Sequence, residues 1–266
     1  MRPLYQAAIE EPKKRFKQGN AGLWFDKFCN TWRKDTWTLT ADERSNPKLE
    51  WIKTVTHHRV GVHGEIEEAV RRLLQLVEAR GGRGEVFRTQ ARFVSGLGAS
   101  HPIENGFTWH PTLGVPYLRG SSIKGVVRAW AEEKEVPGCN RIFGAPDRVG
   151  SVCFLDAVPT ERVRLEADVM TPHYAGWDDA NPPGDWCSPT PIPFLVTAAG
   201  TPFLFGVVPC EGTSSDDAVL AMNLLAEALE ITGAGAKTAV GYGRMQRVED
   251  GMRLLLNHRK QRDELS

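Results

Sequence analysis

The sequence predicts an α+β fold, an antiparallel sheet backed by two helices with a helical region in front of it. Three observations carry this expectation. Residues 86–98 alternate apolar and polar side chains, two amphipathic helical stretches stand apart with strand-like runs between them, and a Gly-rich segment leads into a last short strand.

Residues 1–60 hold Arg, Lys and Trp among short helical patterns, including the basic run KKRFKQ at 13–18, which reads as a solvated helix face. Over 64–80, Ile66, Val70, Leu73, Leu74 and Val77 follow helical spacing, with Gly81 and Gly82 as the stop. Phe87, Thr89, Ala91 and Phe93 then alternate as a first strand over 86–98. Ser121 or Ser122 can cap a helix running to about Lys134, with Ile123, Val126, Val127 and Trp130 on one face. Strand-like runs follow at 151–158, 164–170, 192–197 and 202–208. A second helix begins near Ser214, places Asp216 and Asp217 in its first turn, buries Val219, Met222, Ala226 and Leu229, and ends at Gly233. The order is β-α-β-β-α-β with an inserted hairpin, which predicts the ferredoxin-like, also called RRM-like, arrangement. Residues 1–85 are expected to form a helical region packed on a main domain of residues 86–266.

With 41% hydrophobic and 25% charged residues, the 266-residue chain can bury a sizeable core. Thirty-three Lys plus Arg balance thirty-three Asp plus Glu, so any nucleic-acid binding must come from a local basic surface. Five scattered cysteines without a CxxC pair fit a reduced, cytoplasmic compartment, and no apolar run suits a membrane span or signal peptide. No cofactor and no metal are expected.

Three segments carry the chemistry. In HPIENGFTWHPTLGVPYLRGSSIKGVVRAW, Arg119 and Lys124 bring positive charge to a helix start, and Lys124 with Arg128 makes a like-charge pair, so an anion is called for. Open backbone amides after Gly120 make an RNA phosphate a candidate, against the alternative that these side chains simply face water. In GAGAKTAVGYGRM, glycines permit close backbone approach, Lys237 and Arg244 neutralise phosphate, and Tyr242 can stack on a base; a plain turn is the alternative. Neither segment is a Walker loop. The third, residues 171–193, is a long Pro-rich connection with His173, Tyr174, Trp177 and Trp186, suited to RNA or a neighbouring subunit, unless the tryptophans pin it to its own domain.

On these segments, GLGASHPIENGFTWHPTLGVPYLRGSSIKGVVR, VMTPHY and GAGAKTAVGYGR, the sequence resembles the RAMP superfamily of CRISPR proteins. The phrase G-x-P-x-x-x-G-S-S-x-K-G-x-x-R falls on Gly114, Pro116, Gly120, Ser121, Ser122, Lys124, Gly125 and Arg128. The resemblance covers roughly residues 93–245 and is nearest to one subunit family of the type III-B (Cmr) effector complexes. It implies a subunit near the end of a filament that holds CRISPR RNA and its target RNA, with the backbone RAMP subunit and a neighbouring end subunit as partners and no membrane. The implied RNA-binding residues are Arg119, Ser121, Ser122, Lys124, Arg128, His173, Tyr174, Lys237, Thr238, Tyr242 and Arg244. Target cleavage belongs to the backbone subunit of such complexes, through an Asp after its first strand. The comparable stretch here, GASHPIEN, offers His101 and Glu104 but no Asp. A non-catalytic RNA-binding subunit is therefore expected. The alternatives are a metal-independent RNA endonuclease using His101, His110 or His173 as general base, and a scaffold without RNA contact.

Overall fold

The computed structural model describes residues 19–33, 35–42, 45–171, 191–252 and 255. The predicted basic run at 13–18 and the centre of the long Pro-rich connection, with Trp177 and Trp186, lie outside the described residues.

Two short helices come first, each started by an asparagine. Asn20 accepts a hydrogen bond from the Leu23 amide ahead of α1 (Ala21–Lys27), and Asn46 accepts one from Leu49 ahead of α2 (Pro47–Thr56). In α3 (His63–Ala79) the residues Ile66, Val70, Leu74 and Val77 are buried, and Gly81 leaves the helix at a φ of +61°. The chain continues through β1 (Arg83–Thr89), a small hairpin of β2 (Ser100–His101) and β3 (Glu104–Asn105), α4 (Gly120–Glu133) and the short α5 (Cys139–Phe143). Next come β4 (Val152–Phe154), β5 (Val158–Pro159), β6 (Leu165–Met170), β7 (Ile192–Thr197), β8 (Pro202–Pro209), α6 (Ser215–Ile231) and β9 (Met245–Arg247).

The main sheet has the order β4-β8-β1-β9, with β5 also on β8, and every pairing is antiparallel. Strands β6 and β7 pair as a separate hairpin. Alternation along the strands splits the core between two faces. Phe87, Phe203, Phe205 and Val207 meet Ile123 and Val127 of α4 and Ala221 and Leu225 of α6. Val86 and Leu204 turn the other way, toward Ile66, Val70 and Leu74 of α3, Trp51 of α2 and Phe194 of β7. Every residue of β8 is buried because both of its faces are covered. Truncating a ring such as Phe205 to Ala would cost about 3–5 kcal/mol.

Some expectations need correction. The first strand stops at Thr89 rather than reaching 98, because the chain leaves β8 there and Phe93 pairs with Thr197 of β7 instead. The run at 151–158 breaks into β4 and β5 at Leu155 and Asp156. In α6, Val219 and Ala226 are only half-buried while Ala218, Ala221, Leu225 and Ala228 are buried. That helix is apolar around most of its circumference, so spacing alone does not fix its inner face.

Candidate nucleic-acid interface

Residues 92–95, just past β1, bring the two glycine-bearing segments together. The Val94 carbonyl accepts from the Ala236 amide at 2.7 Å and the Arg92 carbonyl from Gly243 at 2.8 Å. Ser95 Oγ donates to the Tyr117 carbonyl at 3.4 Å. The approach to α4 and the Gly-rich segment thus flank one strip of backbone.

At the α4 entry the predicted cap is corrected. The capping position is Arg119, whose side chain makes no cap bond, and Ser121 and Ser122 are exposed. The acceptor comes from elsewhere: Asp156, in the break between β4 and β5, takes the Gly120 amide proton at 2.7 Å. A carboxylate belonging to the chain itself therefore occupies one of the amides expected to stand open for phosphate. Gly120 is needed for packing, since a Cβ there would overlap the Phe154 carbonyl oxygen. Arg119 Nε donates to the Tyr117 hydroxyl at 3.1 Å, and Arg128 pairs with Glu132 at 2.7 Å. Lys124 is half-buried, and its side chain has no hydrogen bond or ion pair among the described residues.

The Gly-rich segment folds onto itself. Lys237 sits at φ +61° and starts a single 3-10 turn, Thr238–Val240, which Gly241 closes at φ +93°. A Cβ on Gly243 would overlap the Ala234 carbonyl, and one on Gly235 would overlap that of Val94. These glycines let the backbone meet backbone, which corrects their reading as room for a phosphate. Lys237 Nζ lies 5.4 Å from the Phe194 ring centre. Arg244 is exposed and without a side-chain partner among the described residues, while Thr238 is half-buried. The Tyr242 hydroxyl donates to Asp168 of β6, which also pairs with Arg92 at 2.8 Å. Burial pushes the Asp168 carboxyl up, but the bonds from Tyr242 and the Val169 amide and the Arg92 charge outweigh it, leaving it below the usual range.

The histidines divide. His101 has a side chain only 3% exposed and stacks on Phe25 with 4.6 Å between ring centres. Its Nδ1 accepts from the Ile103 amide at 3.3 Å, which leaves Nε2 to donate to the Phe25 carbonyl at 3.0 Å. Burial lowers its pKa. Both ring nitrogens are thus engaged inside the core, with an Asp26 carboxylate oxygen 3.8 Å from Nε2. His110 Nδ1 lies near the Leu113 amide and Thr112 Oγ1, and its ring meets Tyr117 edge-on at 5.3 Å. His173 and Tyr174 lie outside the described residues. Among the described residues, no three His, Cys, Asp or Glu side chains gather to hold a metal ion, and no helix is long and apolar enough to cross a membrane.

Sequence reasoning missed Asp156 and the Arg92–Asp168–Tyr242 network. An Asp inside an otherwise apolar strand run was a signal for the first. The second joins residues far apart in sequence and leaves no local pattern.

A family profile described as the RAMP superfamily matches residues 51–246. A curated relative, the CRISPR system Cmr subunit Cmr6 of Pyrococcus furiosus, is 32% identical over 227 residues, covering 60% of this chain and 66% of that protein. A second, the corresponding Cmr6 subunit of Saccharolobus solfataricus, is 39% identical over 75 residues, covering 27% of this chain and 26% of that protein. The chain thus spans under two thirds of the length of these curated relatives. A chain in a cryo-EM structure of a type III-B Cmr-beta complex bound to cognate target RNA shares the fold, with a TM-score of 0.65 and 22% identity over 91% of this chain and 90% of that one.

Proposed function

The chain belongs to the RAMP superfamily, and from that premise we propose that it is a non-catalytic RNA-binding subunit of a type III-B effector complex in the cytoplasm. It holds CRISPR RNA and its target RNA near one end of the filament, beside the backbone RAMP subunit and a neighbouring end subunit. The similarity to curated Cmr subunits supports the assembly. The strand order β4-β8-β1-β9, with α4 and α6 on one face, supports the ferredoxin-like reading, with the described residues ahead of β1 laid on the other face. The inward-facing, doubly bonded His101 supports a role without catalysis.

The observation that carries the RNA reading is the convergence of two cation-bearing segments on residues 92–95, with Lys124 and Arg244 lacking any anionic partner among the described residues. Phosphate contacts position RNA without reading its bases. Lys124→Ala and Lys237→Ala are each expected to weaken binding of single-stranded RNA by a similar factor for any sequence. Each should lower the salt slope by roughly 0.7 per lost contact. Stability should change by under about 1 kcal/mol, the larger loss falling at Lys237, which lies over Phe194. Anisotropy titrations across a salt series measure both quantities. Two folded variants with unchanged affinity and slope would hand the protein to the scaffold reading.

A further inference from the structure

The turn that presents Lys237 also presents an apolar side chain to solvent. Val240 is 70% exposed, although the segment around it is packed tightly. Its position is fixed from below: the Val240 amide donates to the Lys237 carbonyl at 3.2 Å, Gly241 to Thr238 at 2.9 Å and Tyr242 to Lys237 at 3.3 Å. Tyr242 is fastened in turn to Asp168. Valine is stiff about χ1, so an occupied site would demand little further ordering of the side chain or of the turn beneath it. Lys237 and Arg244 stand on either side in sequence, and residues 233–245 contain no acidic side chain. A rigid apolar point between cations suits a chain whose flat apolar faces alternate with negative charges. Single-stranded nucleic acid has that character, with base faces between phosphates.

We propose that Val240 is a nucleobase contact: the face of one base of bound single-stranded RNA rests on it while Lys237 and Arg244 take flanking phosphates. This rests on the RNA-holding reading and adds that the turn contributes apolar contact as well as charge.

The test uses the full chain and a labelled single-stranded RNA oligonucleotide, with a set of oligonucleotides each carrying one abasic position. Burying a valine against a base predicts that Val240→Ser weakens binding by about 3- to 10-fold. The salt slope should stay unchanged, because no phosphate contact is lost. Val240→Phe should recover or exceed the parent affinity. One abasic position should weaken the parent protein by a comparable factor and leave Val240→Ser unaffected further, since the contact is already gone. Nothing packs over Val240, so both variants should melt with the parent. The proposal is overturned if Val240→Ser binds RNA as the parent does while Lys237→Ala does not. It is equally overturned if Val240→Ser impairs only assembly with partner subunits, which would make Val240 a protein contact. Unchanged RNA binding in Lys124→Ala and Lys237→Ala as well would remove the underlying reading and this proposal with it.

Discussion

The entry to α4 and the Gly-rich turn share a composition of glycines beside Lys and Arg, yet their backbones are satisfied in different ways. At α4 the first amide is closed by Asp156, a side chain from another part of the sheet, and Gly120 is a spacer against Phe154. In the Gly-rich turn the backbone closes on itself and on residues 92–94, leaving Val240 and Arg244 exposed and Lys237 half-buried over Phe194. Glycine beside a cation is thus no evidence of a phosphate cradle. What separates the two is which groups are left over once the fold has used what it needs.

The sharpest way to break this contrast is inside the turn. Gly243→Ala combines a φ of +70° with a backbone overlap and should cost about 3 kcal/mol or more, whereas Gly241→Ala has open space and only the φ of +93° to meet, costing about 1–2 kcal/mol. Denaturant unfolding of both variants gives the two numbers. Equal losses would mean that conformation, not close packing, governs the turn.

A smaller effect is expected at the anchor. Asp168→Asn should lower stability by about 1 kcal/mol at pH 7, a modest figure because Arg92 is half-exposed. The folded pKa of Asp168 lies below its unfolded value, so its contribution is present above the usual carboxylate range and is lost as pH falls through the folded value. The gap between parent and variant should therefore close in acid, with hydrogen exchange of residues 237–243 rising in step. A gap that persists unchanged at low pH would remove the ionised carboxylate as the anchor.

The smallest expected change is at the other segment. Asp156→Ala should cost about 0.5–1 kcal/mol through the lost bond at the start of α4. RNA affinity should not fall, since the change removes a negative charge and frees the Gly120 amide at the start of α4. A clear loss of RNA binding without unfolding would place Asp156 in the interface.

Periodicity made α3 and α4 legible, because each carries one apolar face, and Ser214 with Asp216 and Asp217 marked the start of α6. The order of strands along the chain was legible too, from β-branched and aromatic runs separated by turn residues. What stayed hidden was every feature made by tertiary contact: Asp156 on Gly120, Phe93 crossing to β7, and Asp168 gripping Tyr242. The cations of the candidate site could be read as residue types, but which of them the fold would pair internally, as it pairs Arg128 with Glu132, could not.

The doubly covered strand β8 has a consequence for how the chain reaches this state. Thr89 at the end of β1 accepts a hydrogen bond from the amide of Thr201, 112 positions later, and β4 and β5 also find their partner only in β8. A nascent chain emerging from the ribosome can form α3 and α4 early, but their apolar faces have no sheet to rest on until residues 202–209 appear. Synthesis at about 5–20 residues per second leaves Val86 and Phe87 uncovered for several seconds. Slowing translation between β1 and β8 should lengthen that interval and favour aggregation, whereas pauses after β8 should be harmless.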